Sequence, residues 1–221
     1  MKKSATIIIS VIIFLFCPRT IFAQFVKLTI NGGNSFCGFS IQNGFYTKNN
    51  ANEYIAKKAY SGDNSGLVEV VTEIMAQSGF DVPISVYLVA GEANCFATIV
   101  GDGERVIIAD QLFLNDVNKQ VKTEWGAISI IAHELGHHIA GFAKSASQTP
   151  DSELDADYWS GYLLQKLGAD KEASTKCIMS FGTEDDSTSH PNKYRRKSAI
   201  QEGWDDASKG LYNEDRCKNC Q

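Results

Sequence analysis

The sequence predicts an α+β fold, a small antiparallel or mixed sheet packed on a helical half. Three observations carry this. Short β-rich runs cluster between residues 84 and 109, and from Asp110 onward the apolar spacing turns helical. No internal repeat, low-complexity segment or interdomain linker interrupts the chain.

Ile84 to Ala90 reads as a strand after Pro83. Phe96 to Val100 and Arg105 to Ala109 read as two more, joined by Gly101-Asp102-Gly103-Glu104. Asp-Gly between two β-rich runs is a hairpin signal. Upstream, Asn64-Ser65 is placed to cap a helix that carries Leu67, Val68, Val71, Ile74 and Met75 at helical spacing and stops at Gly79. Residues 25–50, rich in Gly and Asn, predict short strands and turns.

The second half is read in the same way. Gln111 to Val117 predicts a short helix. Thr123-Glu124-Trp125 opens a longer one that runs to about Ile139, with Ile128, Ile131 and Leu135 as its apolar partners and Gly141 suited to the C-cap. Pro150-Asp151-Ser152-Glu153 opens a helix reaching about Leu167, with Gly168 as its stop. Shorter helices follow near 171–180 and 193–202, and a polar, cysteine-containing tail covers about 203–221.

The start of the chain reads as a leader. Met1-Lys2-Lys3 precedes an apolar run from Ala5 to Phe16, and Ile21-Phe22-Ala23 suggests cleavage before Gln24. The expected mature chain, 24–221, is a single domain, secreted or periplasmic. Loss of Lys2, Lys3 and Arg19 moves the net charge from −5 to −8. That balance argues against nucleic-acid binding and against an anionic membrane surface. No later apolar stretch is long enough to span a bilayer.

Export also changes how the cysteines are read. Cys37, Cys95, Cys177, Cys217 and Cys220 can form disulfides outside the cytosol, and an odd number leaves at least one unpaired or bonded to another chain. Cys217-Lys218-Asn219-Cys220 has the C-x-x-C spacing, but in a polar tail it is expected to be structural.

The chemistry is concentrated in His133-Glu134-Leu135-Gly136-His137. On a helix, His133 and His137 lie one turn apart and project from one face, the geometry for two nitrogen ligands of one zinc ion. Glu134 beside them would act as general base on a metal-activated water. His138 lies about 100° round the helix and is expected to pack or face solvent.

A catalytic zinc site needs a third protein ligand. The metzincin pattern would put Gly at position 140 and His at 143, and this chain has Ala at both. Glu153-Leu154-Asp155-Ala156-Asp157 supplies the other common solution, a carboxylate on the following helix. Glu153 and Asp157 share a face. Glu153 is therefore expected to complete the zinc ligands, while Asp157 accepts an N–H from a ligand histidine. Asp155, at the intermediate spacing, is the alternative ligand.

These two segments resemble the gluzincin metallopeptidases of the CAAX prenyl protease and HtpX type, and in particular soluble minigluzincins that carry little more than the catalytic domain. Ala93-Asn94-Cys95-Phe96-Ala97 resembles that family's N-A-F-A strand, with Cys95 in place of the usual Ala. Ser189-His190-Pro191 with Arg196 resembles its H-P-x-x-x-x-R segment. The resemblance spans roughly residues 84–200. It implies that Asn94, Cys95, Phe96 and Ala97 bind extended substrate by strand pairing. It also implies that His190 stabilises the intermediate at the scissile carbonyl and that Arg196 supports the ligand set. The membrane helices of the integral relatives are absent, so their membrane substrates are not carried over.

The expected function is an exported, soluble zinc endopeptidase acting on extended or unfolded peptide. Two alternatives remain: a non-enzymatic exported binding protein with a relict zinc site, and a zinc amidase or cell-wall hydrolase. Cys95, in the strand beside the cleft, or Cys37 also raises the idea of a thiolate that blocks the metal, against simple packing or a disulfide.

Overall fold

The β-rich runs pair into one mixed sheet in the computed structural model, which describes residues 37–40, 65–79, 83–89, 94–100, 104–141 and 149–217. The expected leader, the Asn64 cap, the Asp102-Gly103 turn and Cys220 lie outside these residues. The strands are β1 (Cys37–Ser40), β2 (Ile84–Val89), β3 (Asn94–Val100) and β4 (Glu104–Asp110), in the order β1-β3-β4-β2. β3 and β4 form the expected antiparallel hairpin, with Val100 opposite Glu104. β2 runs parallel to β4, and β1 runs antiparallel to β3 on the other side. β4 is buried from Arg105 to Asp110, as its central place demands.

Six helices follow the predicted order among the described residues. They are α1 (Ser65–Ser78), α2 (Gln111–Val121), α3 (Trp125–Ala140), α4 (Pro150–Lys166), α5 (Lys171–Phe181) and α6 (Lys193–Ser208). The architecture is α+β, with a sheet on one side of α3 and helices on the other. Local chemistry fixes the helix ends. Asp110 caps α2 by accepting from the N–H groups of Leu112 and Phe113, at 2.8 and 3.2 Å. Thr149 and Ser152 form a reciprocal capping box at the start of α4, with Pro150 in its first turn. Gly141 ends α3 at φ 84°, a left-handed conformation that suits glycine.

Two helices outrun the sequence reading. α2 continues past Val117 to Val121 and ends with Lys122 at φ 56°. α6 continues past residue 202 to Ser208, so the tail begins later than 203. The reason lies in how α6 meets α4. A Cβ on Gly203 would sit 1.9 Å from the Tyr158 carbonyl oxygen, and one on Gly161 would sit 1.8 Å from that of Ile200. Each helix offers a glycine to the other's backbone, so Gly203 is a crossing point rather than a stop.

α3 is the centre of the molecule. Every residue from Ser129 to Ala140 is buried, and Ile130, Ile131, Leu135 and Ile139 join Ile107, Leu114, Tyr158 and Leu163 in the core. Such a helix has no solvent face, so each polar side chain on it must find an internal partner. Those partners define the site.

Candidate active site

The helical period divides the polar residues of α3 between two neighbours. His133 and His137 face α4. Glu134 and His138, also one turn apart, face the sheet. His138 Nε2 lies 3.0 Å from the Val106 carbonyl oxygen, and Arg105 Nη1 donates to the His138 carbonyl at 3.1 Å. Of the two expectations for His138, packing is the observed one. Burial, opposed by the Val106 contact and aided by Arg105, lowers its pKa to about 4, so the ring is neutral and ties α3 to β4.

On the α4 side, the Nε2 atoms of His133 and His137 are 3.1 Å apart. Glu153 Oε2 lies 3.5 Å from His133 Nε2, and Oε1 lies 3.5 Å from His137 Nε2. A tetrahedral ion with ligand bonds of about 2.0–2.1 Å sets its donor atoms about 3.3–3.4 Å apart. The two histidine nitrogens, and the Glu153 oxygen nearest to each, stand at separations of that size, and the three residues form a group able to hold a metal. The alternative ligand, Asp155, points away and pairs with Arg216 Nη1 at 2.7 Å.

α4 reaches α3 this closely because Gly136 lies against Ala156. A Cβ at position 136 would fall 2.5 Å from the Ala156 carbonyl oxygen. The contact sits between Glu153 and Asp157 in sequence and holds both carboxylates at the histidines.

Asp157 takes the place expected of it. Its Oδ1 lies 2.9 Å from His133 Nδ1, so His133 can present Nε2 to the other ligands with a fixed ring. Arg196, 5% exposed, donates to Asp157 through Nε at 2.7 Å and Nη2 at 2.9 Å. The fork also comes within 3.5 Å of Glu153 Oε2. The α4–α6 glycine crossing makes this two-pronged pairing possible.

Electrostatics follow this wiring. Burial works against charge on Glu153, but His133, His137 and Arg196 outweigh it and hold the carboxylate well below the usual range. Burial likewise opposes charge on Asp157, and Arg196 with His133 overcomes it. Burial lowers His137 to about 3, leaving a neutral ring that can serve as a ligand. Burial opposes protonation of His133 too, but Asp157 and Glu153 raise it to about 10. A proton and a metal therefore compete for this ring.

Glu134 faces the sheet and is fully buried. Its Oε2 accepts the Ala97 N–H at 2.7 Å, while Oε1 has no hydrogen-bond partner among the described residues. Burial, only partly offset by His133, lifts its pKa to about 8. A buried carboxylate with one oxygen anchored and one open can hold and deprotonate a small polar molecule.

His190 approaches from the segment before α6, with Nε2 3.9 Å from Glu153 Oε2 and a side chain 32% exposed. Its Nδ1 lies 2.8 Å from Ser189 Oγ. Burial lowers its pKa despite Glu153, so the ring is held toward the neutral form.

The structure thus brings together His133, Glu134, His137, Glu153, Asp157, His190 and Arg196. It brings Ala97 in as well, through its backbone. Asn94, Cys95 and Phe96 lie in the same strand and are buried, and that strand is paired on both sides rather than at an edge. Cys95 is free and fully buried; burial, with Glu134 and Asp110 nearby, raises its thiol well above the usual range. It packs as a neutral thiol, not as a thiolate. Cys177 is also free, and Cys217 is disulfide-bonded.

Sequence reasoning did not find the Gly136–Ala156 contact or the Ala97 N–H. The small residue between Leu135 and His137 was a readable hint of the first, while a backbone donor leaves no trace in side-chain identity.

No curated protein and no solved structure matches the chain. Residues 62–150 match the profile of Peptidase family M48, a stretch that takes in His133 and His137 and ends three residues before Glu153. That match, together with the His133–His137–Glu153 group, supports a zinc-dependent peptidase.

Proposed function

We propose that this chain is an exported, soluble zinc endopeptidase of the gluzincin type, related to CAAX prenyl protease and HtpX-like enzymes. The observation that carries the reading is the buried His133–His137–Glu153 group, able to hold a metal, beside a buried Glu134 with one open oxygen. A relict binding site would have no need to keep a buried general base beside its ligands.

His133, His137 and Glu153 would hold the ion. When bound, zinc supplies Lewis acidity and a water acidic enough to react near neutral pH. Glu134 Oε1 takes the proton as water adds to the peptide carbonyl, and Glu134 then delivers it to the leaving amine. Ala97 keeps the carboxylate in place during both transfers. Where the Ser189 hydroxyl donates to Nδ1 of His190, Nε2 carries the ring proton and can donate to the oxyanion. Asp157 and Arg196 hold the His133 ring and take no part in proton transfer. The basic leader and apolar run at residues 2–16 support export. No described helix is long and apolar enough to cross a membrane.

The direct test is digestion of a denatured protein by the purified mature chain, with and without chelator. Cleavage into peptides that stops on chelation and returns with zinc is expected. Hydrolysis of peptidoglycan but of no polypeptide would favour an amidase. Zinc binding without any hydrolysis would favour the binding-protein alternative.

A further inference from the structure

β3 is the strand in hydrogen-bond reach of the catalytic carboxylate, because the Ala97 N–H meets Glu134 Oε2 at 2.7 Å. An extended peptide lying across the histidines must run beside it. Strand addition requires an edge that can be vacated. β4 holds one side of β3 from Cys95 to Val100 and is itself locked by β2, so that side cannot open. The other side carries β1. Cys37 faces Ala97, Gly38 faces Phe96, Phe39 faces Cys95 and Ser40 faces Asn94. β1 therefore runs antiparallel along β3 up to the residue that anchors Glu134.

β1 is suited to leave. It has 4 residues and is the outermost strand of the described sheet. So short a strand contributes little stability and belongs to the first structure to open. It also lies outside the 62–150 stretch that matches the peptidase family.

We propose that Cys37–Ser40 is a built-in occupant of the substrate edge, which must be displaced before an extended peptide can bind. The inference rests on the peptidase reading for the meaning of that edge. An intramolecular competitor raises KM by the inverse of the open fraction and leaves kcat alone; occupancy of about 90% gives about a tenfold effect.

The test uses the full mature chain and a fluorescein-labelled peptide copying residues 34–43. Successive strand amides point to opposite sides, so of residues 38 and 39 one directs its N–H at β3. The double variant Gly38→Pro/Phe39→Pro removes that donor whichever it is. The expected result is about tenfold tighter probe binding than wild type and a KM for unstructured peptide lowered to match, with kcat and Tm unchanged. Equal probe affinity for variant and wild type, or no binding to either, overturns the proposal. So does a variant that loses activity and Tm together, since β1 would then be a structural strand. A probe that binds the variant more tightly while neither protein cleaves any peptide would uphold the edge and sink the peptidase reading instead. A second measurement needs no variant. In wild type saturated with unlabelled peptide, amides of 37–40 should exchange faster while those of 94–100 stay protected. Unchanged protection at 37–40 with peptide bound contradicts the proposal.

Discussion

Gly136 carries no reactive atom, yet the site depends on its lack of a side chain. In Gly136→Ala the new Cβ would lie 2.5 Å from the carbonyl oxygen of Ala156, 2.9 Å from its Cα and 3.1 Å from its carbonyl carbon. These are backbone atoms of α4, so nothing can swing aside. Relief to an ordinary contact of about 3.5 Å requires the helices to part by about 1 Å. Glu153 and Asp157 ride on the same stretch of α4. The Glu153–histidine separations, both 3.5 Å, would open to about 4.5 Å, beyond the roughly 3.4 Å edge of a tetrahedral zinc site. Zinc affinity is expected to fall about 10- to 100-fold, the range seen when groups that orient ligands are lost. Stability gives a second readout with opposing signs. Alanine is the better helix former by about 1 kcal/mol, whereas overpacking costs about 1–3 kcal/mol. The steric term wins because the contact is with backbone, so the apo protein should melt at a lower temperature. Competition against a chromophoric chelator gives the affinity, and a circular dichroism melt gives the stability. Unchanged zinc affinity with a raised melting temperature would refute the argument.

Three further outcomes follow from the same geometry. Asp157→Asn removes the two-pronged ion pair of Arg196, leaving it only the longer approach to Glu153, and loosens the His133 ring; it should lose about 10- to 100-fold in zinc affinity and also melt earlier, checked by the same two assays. His190→Ala should lower kcat by about 100- to 1000-fold while zinc content stays at wild type, read from peptide hydrolysis and metal analysis. Cys95 and Cys177 should resist alkylation in the native protein, since burial raises the first well above its usual value and the second to about 12. The unfolded thiols ionise from about pH 9 while the folded ones stay protonated, so stability should fall as pH rises past that point. Melting curves at rising pH, with mass mapping of alkylated cysteines, check both statements.

What the sequence revealed was what local periodicity controls. His133 and His137, and again Glu153 and Asp157, sit one turn apart, so a helix alone decides that each pair shares a face. The hairpin of β3 and β4 and the glycine ends of α1, α3 and α4 were legible for the same reason. Tertiary contact decided the rest. Gly203 falls where the polar tail is expected to begin, but it is where α6 presses on Tyr158. The helix expected over Gln111 to Val117 runs on to Val121, and Asn118 Oδ1 accepts the Ala127 N–H at 2.7 Å, joining it to α3. β1 contains Gly38 and spans too few residues for a period to register. The strand residues Asn94–Ala97 are expected to bind substrate by strand pairing, and a sequence could not show that β1 pairs along one side of them and β4 along the other.

The central claim is that Glu134 moves the proton while His133, His137 and Glu153 hold the metal. Glu134→Gln separates these roles, because the amide keeps the shape and can still accept the Ala97 N–H but cannot take a proton. Zinc stoichiometry and cleavage of an unstructured peptide should be measured on the same preparation. The account predicts zinc bound as in wild type and kcat reduced by about 100-fold or more. A Glu134→Gln protein that binds zinc and cleaves at the wild-type rate would contradict it.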